Sequence, residues 1–227
     1  MIDLLTIDRP DEAACARLAE LYNLRQYSDR HGRVNPNDPR YVTGGVHFSR
    51  NGAWFAEQLA RSGAVLLAAQ RDREIIGYSM FFTELDAFPP FADDMRWMAG
   101  IEGVDRLAYS YLTTVHPDFC LDGVAWQLVS RRRELCAAAG VTAIGTEVFV
   151  RPQVNVASIA LHHKQVREFG AVDTGRTAIH ELEIPAAGGT PARTVRIEYV
   201  QFLSPCHDGT KAIVDEESGE PKLVKAA

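Results

Sequence analysis

Three features that would assign a protein to a special class are missing from this sequence. No apolar run approaches the roughly eighteen residues of a membrane span. The first residues also include Asp3 and Asp8, whereas a secretory signal would have an uninterrupted apolar segment there. The four cysteines show no CxxC spacing and no ligand cluster, which indicates reduced thiols and no bound metal. We therefore expect a cytoplasmic protein without a membrane partner.

Basic residues are too few and too scattered for a nucleic-acid surface. The chain has 24 Lys and Arg against 30 Asp and Glu, a formal net charge of −6. Because nonspecific nucleic-acid binding depends on neutralising phosphates with Lys and Arg, no nucleic-acid partner is expected. The phosphate-binding patterns GxGxxG and GxxxxGK[ST] are also absent, which argues against a nucleotide-binding α/β enzyme. An amine-bearing substrate suits the acidic balance better.

The rest of the composition is typical of a globular protein. With 227 residues, 46% of them hydrophobic, the chain can bury one substantial core. We expect one domain over residues 1–205, followed by a polar and frayed tail over residues 206–227.

Hydrophobic periodicity predicts the order of strands and helices. Residues 4–7 indicate a strand, apolar positions from Ala14 to Tyr22 a helix, residues 31–45 a long loop, and the segment around Trp54 a second helix. Further predicted elements are a hairpin over residues 64–70 and 75–83, an irregular segment over 86–106, strands over 107–115 and 141–150, helices from Val124 and Asn155, and strands over 177–184 and 194–203. This order favours an α/β fold, a mixed sheet with helices on both faces.

Residues 115–125 lie between a predicted strand and a predicted helix. Gly123 and the small Ala125 allow a ligand to approach the backbone closely, and the free N–H groups and dipole of a helix N-terminus attract phosphate. The pattern is compatible with a pyrophosphate site. It is also compatible with a plain connecting turn, since glycine is common there.

The same segment resembles the GCN5-related N-acetyltransferases, whose signature is Val-x-Pro shortly before Arg/Gln-x-x-Gly-x-Gly/Ala. Val115, Pro117, Gly123 and Ala125 match this signature. That family has a second element, an Asn followed by Ser or Ala three residues on and by an aromatic or polar residue seven on. Asn155, Ser158 and His162 match it. The resemblance is sharp from residue 107 to residue 171.

The resemblance implies a fold, a co-substrate and a reaction. Predicted strands four and five would be parallel and splay apart at their C-terminal ends, with the pantetheine arm of acetyl-coenzyme A between them. The protein would transfer an acetyl group to an amine of a small molecule or peptide. A homodimer is compatible with the sequence, which does not fix the oligomeric state. The implied cofactor-binding residues are Thr113, Thr114, Val115, Cys120, Leu121, Asp122, Gly123, Val124, Ala125, Asn155, Ser158 and His162.

Two departures from the family pattern leave an alternative open. Cys120 stands where that family prefers Arg or Gln, Leu121 where a first Gly is usual, and Asp122 adds a carboxylate beside the expected pyrophosphate. The usual Gly-Phe after the second element is missing, so either the helix is longer and reaches Gly170 or the element has drifted. The altered turn, together with the missing carboxylate on predicted strand four, motivates the alternative function, a non-catalytic coenzyme A-binding or regulatory protein with the same fold.

Candidate catalytic groups follow from the resemblance and from side-chain chemistry. His162 stands where a Tyr acid is common, so an imidazolium there could protonate the leaving thiolate; the plain alternative is a surface histidine. Tyr109 and Tyr111 occupy the usual positions of the base, but a phenol pKa near ~10 suits them better for shaping the acceptor pocket. Glu147, Glu84 and Glu102 could act as bases through water, and solvated carboxylates are the alternative for each.

Overall fold

The computed structural model describes residues 2–7, 10–24, 50–120, 122–151, 154–184 and 193–226, so the predicted loop over 31–45 and Leu121 lie outside the described residues. The described elements are, in chain order, β1 (Asp3–Ile7), α1 (Glu12–Leu24), α2 (Gly52–Leu59), β2 (Ala64–Arg71), β3 (Glu74–Phe82), 3-10 segments at Leu85–Ala87 and Pro90–Gly100, β4 (Leu107–Val115), a 3-10 turn at Pro117–Phe119, α3 (Val124–Ala138), β5 (Ala143–Arg151), α4 (Val156–Phe169), β6 (Val172–Ile184), β7 (Arg193–Pro205), β8 (Thr210–Val214) and β9 (Pro221–Lys225).

Seven strands form one mixed sheet in the order β1-β2-β3-β4-β5-β7-β6. β4 and β5 are parallel neighbours, and every other neighbouring pair in this sheet is antiparallel. A parallel pair needs a crossover connection, which α3 supplies. The predicted α/β fold with a mixed sheet is confirmed. None of the described helices is both long and apolar enough to cross a membrane.

Helices cover both faces of the sheet. On one face, here called the α1 face, Leu18 and Phe55 pack against Leu66 and Tyr78, and the segment Pro90–Gly100 continues this layer. On the other, here called the α3 face, the core consists of α3 and strand residues, with Val124, Leu128 and Cys136 packed against Phe81, Ala108 and Ile144. Burial of both faces explains why β3 is almost continuously apolar.

A slot opens between β4 and β5. The two strands pair only where Leu107–Ser110 lie opposite Ala143–Thr146, although β4 continues to Val115 and β5 to Arg151. Beyond Thr146, β5 stays paired with β7 instead. A bulge adds to the separation, because Tyr111 is an extra residue between Ser110, opposite Phe81, and Leu112, opposite Met80. The predicted divergence of strands four and five is confirmed.

The C-terminal residues form an ordered hairpin, and the prediction of a frayed tail is wrong. β8 and β9 pair with each other, the Ala212 N–H donates to the Gly170 carbonyl at 2.7 Å, and the Leu223 N–H donates to the Glu102 carbonyl at 2.9 Å. Ala212 is buried, while most charged side chains of the hairpin face solvent. Because this segment is polar in composition, the sequence-based prediction missed its two short strands.

Candidate active site

The turn after β4 is built to end a strand and start a helix. The His116 N–H still donates to the Ile76 carbonyl at 2.7 Å, and Pro117–Phe119 then forms a 3-10 turn. Gly123 precedes α3 at φ +76°, a left-handed conformation that favours glycine. A Cβ atom there would meet nothing within 4 Å. The front of the α3 N-terminus is therefore open.

Only part of this turn offers free backbone donors. The Cys120 N–H donates to the Pro117 carbonyl at 3.3 Å and the Asp122 N–H to the Phe119 carbonyl at 3.2 Å. These two N–H groups therefore bind within the turn, and a cofactor-binding part for Cys120 stays a prediction. The first N–H groups of a helix have no carbonyl within the helix to bind, and in α3 these include Val124 and Ala125. The anion-attracting donors lie inside α3, next to the exposed Asp122.

A lysine from the neighbouring helix lies beside this N-terminus. Lys164 Nζ of α4 is 4.1 Å from the ring centroid of Trp126, a residue of the first turn of α3. Trp126 also stacks on Phe169 at 4.7 Å, which holds α4 against α3. The sequence places Lys164 on a helix but does not bring it to the turn, because this contact depends on how the two helices pack.

Thr113, Thr114 and Val115 line the open part of the slot. They follow the bulge on β4 and lie beyond the part of the strand that pairs with β5. An extended chain with amide groups can bind such a strand edge through main-chain hydrogen bonds. The unpaired edge of β4 thus leads through the turn at Pro117–Phe119 to the α3 N-terminus.

Asn155 and Ser158 begin α4 as a capping pair. The Asn155 Oδ1 accepts a hydrogen bond from the Ser158 N–H at 3.0 Å, which satisfies one of the free donors of the helix. The helix continues to Phe169 and ends at Gly170 with φ +65°. Of the two possibilities for this element, the longer helix is the one observed.

His162 is buried, so the alternative of a surface histidine is wrong. It is 4% exposed and lies 4.9 Å from the Phe202 ring. Its Nδ1 is 2.8 Å from the Ser158 carbonyl, to which a neutral ring donates its proton, and Nε2 has no partner. Burial lowers the pKa of His162 to about 4. A neutral ring whose free nitrogen bears no proton cannot protonate a thiolate, which speaks against the predicted acid.

Glu147 is the first residue of β5 beyond the pairing with β4, at the closed end of the slot. Gln201 Nε2 donates to its Oε1 at 3.2 Å, and the Trp97 indole N–H donates to Gln201 Oε1 at 3.0 Å. Burial and the neighbouring Asp94 raise the pKa of Glu147 to about 8. Of the three predicted carboxylates, Glu84 and Glu102 are exposed, and Glu84 accepts a hydrogen bond from Ser62.

Glu147 belongs to a carboxylate cluster with Asp94 and His180. The His180 Nε2 and Asp94 Oδ2 are 3.2 Å apart, and one donor atom from each of the three side chains lies within 4.8 Å of the others. Such a set of oxygen and nitrogen ligand atoms could coordinate a divalent cation. The hydrogen bond from Gln201 to Glu147 and the packing of His180 against Tyr199 also hold these side chains together without a cation. In the sequence Asp94 and Glu147 are far apart, and no motif joins them.

Tyr109 and Tyr111 lie on the α1 face beside this cluster. Their ring centroids are 5.9 Å apart, and Tyr109 is 3% exposed. Burial raises the pKa of both phenols above their usual value, for Tyr109 with a further contribution from Glu147. Neither ionises at neutral pH. Their position next to Glu147 is compatible with the prediction that these two tyrosines shape the acceptor pocket.

Comparisons with known proteins agree with this geometry. No family model and no curated protein matches the sequence. Among solved structures, the ribosomal-protein-S18-alanine N-acetyltransferase from Escherichia coli is similar with TM-score 0.55 and 13% identity, covering 96% of this chain and 98% of that one. An N-acetyltransferase from Staphylococcus aureus Mu50 gives 0.53 and 13%, covering 90% and 99%. The PaiA N-acetyltransferase from Thermoplasma acidophilum, in complex with coenzyme A, gives 0.50 and 9%, covering 89% and 98%. The protein has the fold of the GCN5-related N-acetyltransferases.

Proposed function

We propose that this protein is an acyltransferase that moves an acetyl group from acetyl-coenzyme A to an amine of a small molecule or peptide. The observation that carries this proposal is the slot between β4 and β5, which is closed at Ser110 and Thr146 and leads outward to the α3 N-terminus. A helix N-terminus attracts pyrophosphate, and an unpaired strand edge binds an amide-bearing chain. Coenzyme A carries both groups in that order.

The order of these groups sets the direction of the bound molecule. The pyrophosphate would bind the first N–H groups of α3, with Lys164 as a further positive charge. The pantetheine arm would lie along Thr113, Thr114 and Val115. Its thioester would then reach the closed end of the slot, next to Glu147, the first residue of β5 that no longer pairs with β4. The acceptor amine would approach from the α1 face, past Tyr109.

In the proposed reaction, Glu147 accepts the proton that the amine must lose. The nitrogen lone pair attacks the carbonyl carbon of the thioester, and the C–S bond then breaks. With a pKa of about 8, Glu147 is partly ionised near neutral pH and is a stronger base than an ordinary carboxylate. Asp94, whose Oδ2 is 3.2 Å from His180 Nε2, is the neighbouring carboxylate that helps to raise this pKa. Cytoplasmic location and a homodimer stay predictions.

The alternative is a coenzyme A-binding or regulatory protein without turnover. The turn itself motivates it, because Asp122 lies beside the α3 N-terminus and the Cys120 N–H is already used within the turn. Both features weaken a phosphate site. They do not affect the geometry around Glu147.

Thiol release from acetyl-coenzyme A over a panel of primary amines and peptide N-termini separates the two functions. The acyltransferase releases thiol with at least one class of amine. Glu147→Gln should lower that turnover by about a hundredfold while coenzyme A binding, followed by calorimetry, stays unchanged. Binding without thiol release for any amine favours the regulatory alternative. Failure to bind coenzyme A contradicts both.

A further inference from the structure

Arg132 is a buried cation without an acidic partner. It lies in the third turn of α3 and is 2% exposed. Its Nη1 donates to Thr113 Oγ1 at 3.1 Å and to Ser79 Oγ at 3.2 Å. Among the described residues no carboxylate lies within 4.0 Å of the guanidinium, and Nε has no hydrogen-bond partner.

The charge of Arg132 stays in place despite its burial. Desolvation lowers the pKa of its guanidinium to about 10, so the group is protonated at neutral pH. The titratable groups that face it are His162, which is neutral, and the thiols of Cys136 and Cys206. Two hydroxyls and two thiols solvate a cation poorly. A buried charge left without a counter-charge is costly, and an anion that binds nearby would relieve that cost.

The guanidinium lies on the α3 face of β3 and β4, against Ser79 and Thr113. Thr113, which holds it, is on the part of β4 that has left β5, shortly after the bulge at Tyr111. His162, whose pKa Arg132 helps to lower, marks the opposite wall on α4. The slot therefore has a carboxylate on its α1 face, at Glu147 beside the closed end, and a cation on its α3 face, at Thr113 three residues further along β4.

We propose that Arg132 is the counter-charge for the thiolate that leaves during acyl transfer. This inference rests on the proposed function, which brings the thioester sulfur to the closed end of the slot. When the amine nitrogen bonds to the carbonyl carbon, the C–S bond breaks and its electron pair stays on sulfur. The amine proton passes to Glu147, and Arg132 keeps its own protons. No proton donor is then required at His162.

The thiol pKa of bound coenzyme A tests this directly and needs no acceptor. Thiolate absorbance is titrated against pH for the complex with coenzyme A, and the same titration with desulfo-coenzyme A removes the signal of the protein's cysteines. We expect the wild type to lower the thiol pKa by at least about one unit relative to free coenzyme A, a tenfold rise in the thiolate-to-thiol ratio at a fixed pH. Arg132→Met should abolish this shift, and Arg132→Lys should keep part of it.

Arg133→Met is the matched control. Arg133 is the next residue on α3, but its guanidinium donates to the Pro205 carbonyl and to Asp208, away from the slot. It should leave the thiol pKa as in the wild type. An unshifted thiol pKa in the wild-type complex overturns the inference even if no variant folds, and an equal shift in Arg132→Met does so as well; both leave acyl transfer standing. Failure of the wild type to bind coenzyme A in calorimetry overturns the proposed function and this inference together.

Discussion

Glu147 owes its chemistry to the groups around it. An exposed glutamate is ionised at neutral pH and is a weak base, whereas this side chain is half-buried and shares its site with Asp94. Gln201 holds its oxygen in place and is itself held by the Trp97 indole. Orientation and a raised pKa are the two properties that a general base needs.

At the residue scale, the first prediction concerns the pH dependence of turnover. Because burial and then Asp94 raise the pKa of Glu147 to about 8, kcat/KM should rise with pH and level off above that value. Asp94→Asn removes a negative neighbour and should move this limb to lower pH, and Glu147→Gln should abolish it. If kcat/KM still rises over the same pH range in Glu147→Gln, a group other than Glu147 causes the rise.

The second prediction concerns His162 and acid stability. Its pKa is about 4 in the fold against 6.5 for an ordinary histidine, so the unfolded state binds more protons between these values. Its contribution to the free energy of unfolding is complete above pH 6.5 and falls by up to about 3 kcal/mol as the pH drops through 4. His162→Phe should lose less stability between pH 7 and pH 4.5 than the wild type, as measured by urea unfolding.

The exposed His163 provides the control for His162. His163→Phe should keep the acid sensitivity of the wild type, since an exposed ring is solvated in both states. Turnover should change little in either variant, because a neutral His162 has no proton to give. A hundredfold loss of turnover in His162→Phe alone would restore the general-acid role.

At the element scale, periodicity predicted the seven strands of the main sheet and missed β8 and β9. β4 was predicted over residues 107–115, as observed, because a run rich in Tyr, Thr and Leu ends at a proline. β8 and β9 have five residues each, and their backbones donate hydrogen bonds to the Gly170 and Glu102 carbonyls. Such tertiary contacts leave no local signal. For the same reason the partners of Glu147 could not be predicted, since Gln201 lies 54 residues away.

The third prediction tests the packing of the C-terminal hairpin. Gly103 has φ +84°, and a Cβ there would approach the Leu223 carbonyl oxygen to 2.8 Å. Gly103→Ala should lower the free energy of unfolding by about 1–3 kcal/mol more than Gly219→Ala. Gly219 has a similar φ of +72° but open space around its Cβ. Equal losses in the two variants, measured by denaturant unfolding, would show that the hairpin is not held at Gly103.

At the scale of the whole molecule, the two faces of the sheet divide the proposed chemistry. The α1 face carries Glu147, which receives the amine proton, and the α3 face carries Arg132, which faces the departing sulfur. The slot between β4 and β5 is an opening in the sheet that connects the two faces. The likeness to N-acetyltransferases at 13% identity shows the fold, and this division of labour follows from side chains that the fold alone does not specify.

Binding of coenzyme A at the α3 N-terminus is the central claim, and calorimetric titration of coenzyme A tests it most directly. Gly123→Glu places a negative side chain in front of the first N–H groups of α3 and should abolish binding, while Asp122→Gly should tighten it. Gly140→Glu is the control, because Gly140 has the same φ of +76° beyond the other end of α3. The account predicts binding to the wild type and to Gly140→Glu but not to Gly123→Glu; no binding to the wild type, or equal affinity in all three, would contradict it.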